Sequence, residues 1–219
     1  MQIDLIETHG FRAAMRGMRN SHESHGSADT VFKTYFGAEC DDICALGDND
    51  RALMERLLKS SSERKFLRMI VAWMDITAPL YWWKQFDTYR FGVEKNSGST
   101  MYNIAKHPFT VADFACDTLI GEMGDLVPAM YDTIMRLNEV RRFYLEYPDN
   151  KALWRALVQL LPESYLQRRT VMVSYEALHK MYGERKAHKL QEWRDFCDIL
   201  RECLPQSWLI TGETGRGDH

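Results

Sequence analysis

The sequence lacks a long apolar run and lacks an excess of charge of either sign. No stretch of about 18 apolar residues occurs, so we expect no membrane span. Lysine and arginine number 28 against 31 aspartates and glutamates, which gives a formal net charge of −3. This balance argues against a binder of nucleic-acid polymers, which usually carries a strongly basic face, but it permits a local basic pocket.

Cysteines are few and show no paired or metal-binding pattern. Their number is odd and their positions are scattered, at Cys40, Cys44, Cys116, Cys197 and Cys203. Reduced thiols in a cytoplasmic protein are the simplest interpretation, and the N-terminal MQIDLIETHG is unlike a targeting peptide. Cys40 and Cys44 have no second pair or zinc-spaced His nearby. The polar loop with His22, Glu23 and His25 offers no fourth ligand, so we expect no metal site.

The sequence does contain enough apolar material for a substantial core. Apolar residues make up 45% of the chain, an ordinary share for a globular protein. We predict a helix-rich α+β fold with a small central sheet, in a single domain over residues 1–211. Residues 212–219 have no apolar content and are predicted to form a disordered tail.

Hydrophobic periodicity and capping residues predict most of the elements. In the first half these are a strand over 2–7, a helix over 11–19, a loop over 20–30, and helices over 48–59 and 79–90. The segment 69–76 is β-branched and aromatic enough for a strand but also fits a buried helix. In the second half we predict an irregular loop over 91–100, a helix capped by Thr110, helices over 125–147 and 151–161, and helical structure throughout the last third.

The segment 82–102, WWKQFDTYRFGVEKNSGSTMY, carries side chains suited to binding a phosphate or a base. An aromatic helix leads to Tyr89 and Arg90, and the loop beyond offers amide, hydroxyl and cationic groups around two glycines. Hydroxyls, exposed N–H groups and fixed positive charge suit a phosphate or a nucleobase. The alternative is a polar surface loop. The aromatic side chains of the preceding helix favour core packing over flavin stacking.

This segment resembles a motif of the flavin-dependent thymidylate synthases. That family carries Arg-His-Arg, a short spacer and Asn-Glu-x-Ser-x-Arg-Tyr, with a Gln just before the Arg-His-Arg. Here Gln85 lies near that Gln, 88–90 reads Thr-Tyr-Arg, and 96–102 reads Asn-Ser-Gly-Ser-Thr-Met-Tyr after a spacer one residue longer. The motif residues kept in type are Arg90, Asn96, Ser99 and Tyr102, and those changed are Thr88, Tyr89, Ser97 and Met101.

A second stretch resembles the family in order and rough spacing. The family has Leu-Pro, a helix bearing Asn-Ala-Arg-x-Leu, then Phe-x-x-Leu-Arg and Ala-Gln-x-Glu-Ile. This chain has Leu161-Pro162, then KAHKL at 186–190, FCDILR at 196–201 and PQSWLI at 205–210. Lys186 and His188 stand in place of the Asn and the Arg.

The resemblance implies a fold, a reaction and an assembly. The reaction is methylation of dUMP, a pyrimidine nucleotide, with FAD as cofactor and methylenetetrahydrofolate and NADPH as candidate co-substrates. The assembly is a homotetramer with flavins between subunits. By match to the motifs, the catalytic residues are Ser99 and Arg90, the substrate-binding residues are Gln85, Ser99, Tyr102 and Arg201, and the flavin-binding residues are Tyr89, Arg90, Asn96, Ser97 and His188.

The changed positions bear on the chemistry. In this reaction negative charge builds on the uracil ring, and a cation facing the ring stabilises it. Met101 stands where the motif has Arg, and losing such a donor raises a barrier by about 3–4 kcal/mol, or roughly 10² to 10³ in rate. From the sequence, the residues that could supply this positive charge instead are Arg90, Lys95, Arg194 and Arg201. Two alternatives are open. The protein could be an enzyme that uses a different substrate or transfers a different group, such as hydroxymethyl. It could also be a non-catalytic relative that binds a nucleotide or another protein.

Overall fold

A computed structural model describes residues 1–35, 38–121, 123–124 and 127–213, with only the backbone described at Tyr35, Ala38 and Glu39. From residue 214 onward the predicted tail lies outside the described residues, and so does residue 125, the predicted start of the long helix. Within the described part of the chain, no helix combines the length and apolar content that crossing a membrane requires.

The described chain alternates short strands with helices. The strands are β1 (Gln2–His9), β2 (Val31–Tyr35), β3 (Ala38–Ala45), β4 (Val71–Pro79), β5 (Val93–Ser97) and β6 (Leu166–Ser174). The α-helices are α1 (Phe11–Arg19), α2 (Asp48–Leu58), α3 (Leu80–Phe86), α4 (Thr100–Asn103), α5 (Asp117–Gly121), α6 (Val127–Glu146), α7 (Lys151–Leu160), α8 (Tyr175–Arg185), α9 (Gln191–Cys203) and α10 (Trp208–Thr211). A 3₁₀ turn, Arg64–Arg68, precedes β4.

Four strands form one sheet in the order β1-β4-β6-β5, and β2 and β3 form a separate antiparallel hairpin in which Val31 pairs with Ala45. In β4 every second side chain is buried, because alternate residues of a strand face opposite sides of the sheet. This small sheet among many helices confirms the predicted helix-rich α+β class.

The chain divides into two compact units, each made of separate stretches of sequence. The first unit comprises Met1–Gln2, Ile76–Thr88 and Asn96–Arg169, and the second comprises Ile3–Asp75, Tyr89–Lys95 and Thr170–His219. The first unit packs the apolar side of α6 against α7 and the segment before α5, through Phe109, Phe114, Met130, Ile134, Leu137 and Leu157. In the second unit α1, α8 and α9 bury Phe11, Leu178, Met181, Trp193 and Phe196. The prediction of one domain stays a prediction.

Polar side chains fix the first helix and the loop that follows it, all within the second unit. The carboxylate of Asp41 accepts hydrogen bonds from the backbone N–H groups of Phe11 and Arg12, which satisfies donors that a helix start leaves unpaired. Arg19 and Asp50 form a buried ion pair with a 2.7 Å contact. Asp50 also accepts from the N–H of Thr30, so the loop predicted over 20–30 is tied to α2.

Several sequence predictions were wrong. The predicted loop 91–100 contains β5, the helix predicted over 79–90 ends at Phe86, and the last third is not helical throughout because it includes β6. In β6 the pattern is obscured because the polar run Gln167-Arg168-Arg169 precedes the buried alternation of Val171 and Val173. The β2–β3 hairpin was not anticipated. Thr110 does cap, with Asp113, but it caps a 3₁₀ turn.

Candidate nucleotide site

The second half of the motif, residues 96–102, runs from the end of β5 into α4 and is called the motif loop below. Backbone and side-chain bonds within the first unit hold it. The N–H of Gly98 donates to the carbonyl of Arg168 at 3.0 Å. The side-chain amide of Gln167 donates to the carbonyl of Gly98 at 3.1 Å and to Oγ1 of Thr100 at 3.0 Å. These contacts fix the loop between β5 and α4 against the start of β6, so Ser99 has a defined backbone position.

The motif side chains in this loop are largely solvent-facing. Asn96 and Ser97 are exposed, Ser99 is half-buried, and Tyr102 is 84% exposed. The backbone carbonyl of Ser99 accepts from the N–H of Asn103 at 3.0 Å, while its side chain makes no capping bond to α4. Met101 is 49% exposed, so an uncharged side chain faces solvent where the motif has Arg. The loop therefore offers amide and hydroxyl groups to a ligand.

Arg168 is a cation beside this loop that sequence reasoning missed. Its carbonyl accepts from Gly98, and its side chain is exposed. The pairing follows from β5 and β6 being neighbours in the sheet. Because the region after residue 162 was predicted to be helical, nothing placed Arg168 near the motif. The alternating burial of Val171 and Val173 is the signal that identifies the strand.

Gln85 and the aromatic helix belong to the first unit. Trp82, Trp83 and Phe86 are at most 1% exposed, which favours their interpretation as core packing. The indole N–H of Trp83 donates to the carbonyl of Gln167 at 2.9 Å. Gln85 is half-buried, and its carbonyl accepts from the hydroxyl of Thr88 at 2.7 Å.

Tyr89, at the motif's His position, lies in the second unit and takes part in a hydrogen-bond network with two charged side chains. It is 7% exposed. Its hydroxyl donates to Glu184 at 2.6 Å and accepts from Nε of Arg185 at 2.9 Å. Burial and then the Glu184 carboxylate raise the pKa of Tyr89, so the phenol stays protonated near neutral pH. Arg90, the next residue, is exposed.

His188 packs near the same tryptophan as Tyr89. The ring centres of His188 and Tyr89 lie 6.4 and 6.1 Å from that of Trp193. Nδ1 of His188 accepts from the backbone N–H of Leu190 at 3.1 Å. Burial and the neighbouring cations, Arg185 first, lower the pKa of His188, so its ring is neutral at neutral pH. The structure thus brings together two of the predicted flavin-binding residues.

Arg201 and Arg194, two of the candidate replacement cations, both lie on α9 and contact neighbouring residues. Arg201 contacts Asp198 at 2.9 Å on its own helix, and Arg194 donates to the carbonyls of His188 and Lys189. The residues 186–190, matched to the Asn-Ala-Arg-x-Leu segment, lie in the turn between α8 and α9 and form no helix, and the match stays a prediction. The helix that follows Leu161-Pro162 and β6 is α8, which begins after Ser174.

A cavity of about 550 Å³ opens beside the start of α8, within the second unit. Its lining residues are Arg64, Arg68, Phe91, Gly92, Ser174, Glu176, Ala177 and Lys180. Three are cations and one is a carboxylate. The hydroxyl of Ser174 caps α8 by accepting from the N–H of Ala177 at 3.3 Å. A helix N-terminus and surrounding cations favour an anion. We refer to this as the α8 cavity.

The backbone at Gly92 shapes one wall of the α8 cavity. Gly92 has φ +68°, and a Cβ built there would lie 2.3 Å from the hydroxyl of Ser174. The carbonyl of Gly92 accepts from the N–H of Ser174 at 2.8 Å. Only glycine fits this close approach without strain. Beside it the ring of Phe91 is 94% exposed.

The residues of the α8 cavity fit the anionic part of a flavin nucleotide. Arg64, Arg68 and Lys180 supply positive charge, the start of α8 adds the positive end of its helix dipole, and Phe91 offers an open aromatic face. The single carboxylate, Glu176, is neutralised by Arg64 at 3.0 Å.

The overall arrangement is the fold of the flavin-dependent thymidylate synthases, which confirms the fold that the motif resemblance implied. Two crystal structures of the enzyme ThyX from Helicobacter pylori with FAD and dUMP share it, with TM-scores of 0.71 and 0.69. Each is 16% identical over 97% of this chain and 98% of the ThyX chain, a likeness that concerns the fold. No protein-family model matches the sequence, and none of the curated proteins does either.

Proposed function

We propose that this protein is a flavin-dependent pyrimidine-nucleotide one-carbon transferase of the thymidylate synthase type. The observation that carries the proposal is the cationic α8 cavity in a chain with this fold. The cavity takes the phosphates of FAD, and the loop 96–102 takes a pyrimidine nucleotide such as dUMP. A reduced flavin supplies a hydride when bound, and a methylenetetrahydrofolate supplies the carbon.

The residues of the loop hold and orient the nucleotide. Ser99 and Asn96 donate and accept hydrogen bonds at the base or sugar, Tyr102 packs against it, and the exposed Arg168 faces its phosphate. The loop backbone is fixed by Gly98, so little ordering is needed on binding. Gln85, His188 and Arg201 keep their predicted binding roles as part of this proposal.

Charge stabilisation on the pyrimidine ring is the step most affected by the changed motif. Met101 supplies no positive charge there. Without a replacement cation we expect turnover about 10² to 10³ slower than with one. A hydroxymethyl product would form if water, in place of a hydride, were added to the transferred carbon, and product analysis by mass spectrometry separates it from the methyl product.

The assembly completes the proposal. We propose a homotetramer, and Tyr131, Met135 and Leu145 on the exposed side of α6 are each more than half exposed in the single chain. Apolar side chains of this size on one helix are typical of a subunit interface. Sedimentation of the purified protein tests this, and a monomer at micromolar concentration argues against a flavin site shared between subunits.

The test of the function is flavin uptake followed by turnover. The purified protein should take up added FAD and should release label from C5-tritiated dUMP in the presence of methylenetetrahydrofolate and NADPH. Ser99→Ala should lower turnover by about 10² or more. The control Ser61→Ala, an exposed serine that neither lines the α8 cavity nor belongs to the segment 96–102, should leave turnover unchanged. A wild-type protein that takes up no FAD refutes the proposal.

A second candidate is a nucleotide-binding relative without catalysis. Its specific support is Tyr89, whose hydroxyl is occupied by Glu184 and Arg185 where the motif has a His. This candidate predicts tight binding of FAD or dUMP by calorimetry with no label released from dUMP. Measurable turnover excludes it.

A further inference from the structure

One cation of the α8 cavity is held in place by two partners. Nε of Arg64, on the 3₁₀ turn before β4, donates to the two carboxylate oxygens of Glu176 at 3.2 and 3.0 Å. Nη1 of Arg64 lies 3.0 Å from Nε2 of His179. The side chains of Arg64 and Glu176 are 21% and 20% exposed. Arg64 is therefore fixed at the cavity wall before any ligand arrives.

The contact to His179 defines the state of that ring. A guanidinium keeps its protons, so Arg64 donates and Nε2 of His179 accepts. Burial and then the Arg64 charge lower the pKa of His179, which agrees with a neutral imidazole. His179 thus orients Arg64 without adding a second positive charge beside it.

The remaining donors of Arg64 are left for a ligand. A guanidinium has five N–H donors in a planar fork. Glu176 and His179 use Nε and Nη1, and Nη2 makes no hydrogen bond to the described residues. The other two cations of the cavity are less fixed, because Arg68 is exposed and the Lys180 side chain is 63% exposed with a loose 4.0 Å contact to Glu184. A preorganised fork binds phosphate at a lower entropic cost than flexible surface cations.

We infer that Arg64 binds the diphosphate of the nucleotide in the α8 cavity, and that Glu176 and His179 hold Arg64 in position. The inference rests on the proposed function, since it names a binding residue of that site. It commits to a ligand with a phosphate group, such as FAD or a nucleoside diphosphate, over the unphosphorylated flavin or nucleoside.

The test compares ligands that differ in phosphate. Dissociation constants of FAD, ADP and riboflavin are measured by calorimetry for the wild type and for Arg64→Gln. We expect Arg64→Gln to weaken FAD and ADP by about 10- to 100-fold, the range for hydrogen bonds to charged groups, and to leave riboflavin unchanged. Arg64→Lys keeps the positive charge but not the planar guanidinium, so its affinities for FAD and ADP should lie between those of the wild type and Arg64→Gln. The control Arg155→Gln, an exposed arginine on α7, should change none of the three.

Positioning by His179 has its own test. His179→Gln retains an acceptor within reach of Arg64, whereas His179→Leu removes it. ADP binding should weaken in the leucine variant and recover in the glutamine variant. If His179 only stabilises the fold, both variants should show a lowered melting temperature while their ADP affinity follows the fraction folded, and the positioning role is then wrong.

The outcomes separate this inference from the proposed function. Equal loss of riboflavin and FAD affinity, or wild-type ADP affinity in a folded Arg64→Gln or Arg64→Lys protein, overturns the role of Arg64. A wild type that binds ADP through Arg64 but takes up no FAD overturns the proposed function and leaves the inference standing. A wild type that binds neither ADP nor FAD overturns both.

Discussion

Gly92 is the backbone position at which the structure makes the sharpest quantitative prediction. Its φ of +68° lies in the left-handed region, and a Cβ there would be 2.3 Å from Oγ and 3.1 Å from Cβ of Ser174. Ser174 is 5% exposed and caps α8. Replacing Gly92 by Ala therefore strains the backbone and also displaces a capping side chain.

The magnitude follows from these two effects. A non-glycine residue in the left-handed region costs about 1–2 kcal/mol, and losing a serine cap costs about 0.5–2 kcal/mol. We expect Gly92→Ala to lower the free energy of unfolding by about 1.5–4 kcal/mol. For a chain of this length each kcal/mol shifts the melting temperature by about 2–4 °C, so the expected fall is roughly 3–16 °C. Because Ser174 lines the α8 cavity, FAD affinity should fall as well.

Gly98 is the matched control in the same segment. A Cβ at Gly98 would meet only the carbonyl oxygen of Arg168, at an ordinary 3.6 Å, and its φ is not in the left-handed region. Gly98→Ala should therefore change the melting temperature by no more than about 2 °C, which corresponds to about 0.5 kcal/mol. Both variants are followed by circular dichroism on heating and by FAD titration.

A double variant isolates the steric effect. Ser174→Gly removes the clashing atoms and itself costs only a few tenths of a kcal/mol at a cap, by the usual preference for Ser over Gly. In that background Gly92→Ala meets nothing closer than Cβ of Ala177 at 3.9 Å, so only the backbone strain should remain. If Gly98→Ala destabilises as much as Gly92→Ala, or if the penalty is the same with and without Ser174, the close approach of Gly92 to Ser174 is wrong.

Two further predictions concern buried polar contacts. Asp50→Asn should destabilise the protein by about 3–5 kcal/mol in a urea titration, because it leaves Arg19 buried without its counter-charge. The control Arg136→Gln breaks a solvent-exposed ion pair and should cost under about 1 kcal/mol in the same assay. Burial alone would raise the pKa of Asp50, but hydrogen bonds from Thr30 and Arg19 hold that pKa below its usual value. The Asp50 carboxylate therefore stabilises the folded protein fully above the unfolded pKa of about 3.9. This stabilisation is lost as pH falls through the lower pKa of the folded state. In Asp50→Asn the free energy of unfolding should therefore fall less steeply with decreasing pH at acid pH than in the wild type. Tyr89→Phe removes a phenol bonded to two charged groups and should cost about 1.5–3 kcal/mol in thermal melts.

Elements with clean periodicity were predictable from the sequence. The helix predicted over 11–19 has the bounds of α1, and that predicted over 125–147 covers α6. Of the segment 69–76, left open between strand and helix, residues 71–76 belong to β4, and the alternate burial of its side chains decides this. β5 and β6 were missed because most of their outward side chains are charged or polar, so the strands are specified by pairing with neighbours and not by local pattern.

The candidate site was predictable only where it is contiguous in sequence. The motif loop 96–102 was identified because its residues are adjacent. The α8 cavity was not, since it joins the turn at 64–68, the residues 91–92 and the start of α8, which come together only once the strands pair. Arg168 was missed for the same reason. Long-range pairing is the information that a local pattern does not contain.

Glu176 and Arg64 form an ion pair that joins two elements at the wall of the α8 cavity. Glu176 lies in the first turn of α8. The facing turn supplies Arg64, which pairs with Glu176 at 3.0 Å. Because Arg68 and Lys180 also line it, the cavity has a net positive wall. The pairing predicts that Glu176→Arg alone adds repulsion to Arg64 and destabilises the protein, whereas Arg64→Glu with Glu176→Arg restores the pair. A melting temperature for the double variant no higher than the lower of the two single variants contradicts the pairing.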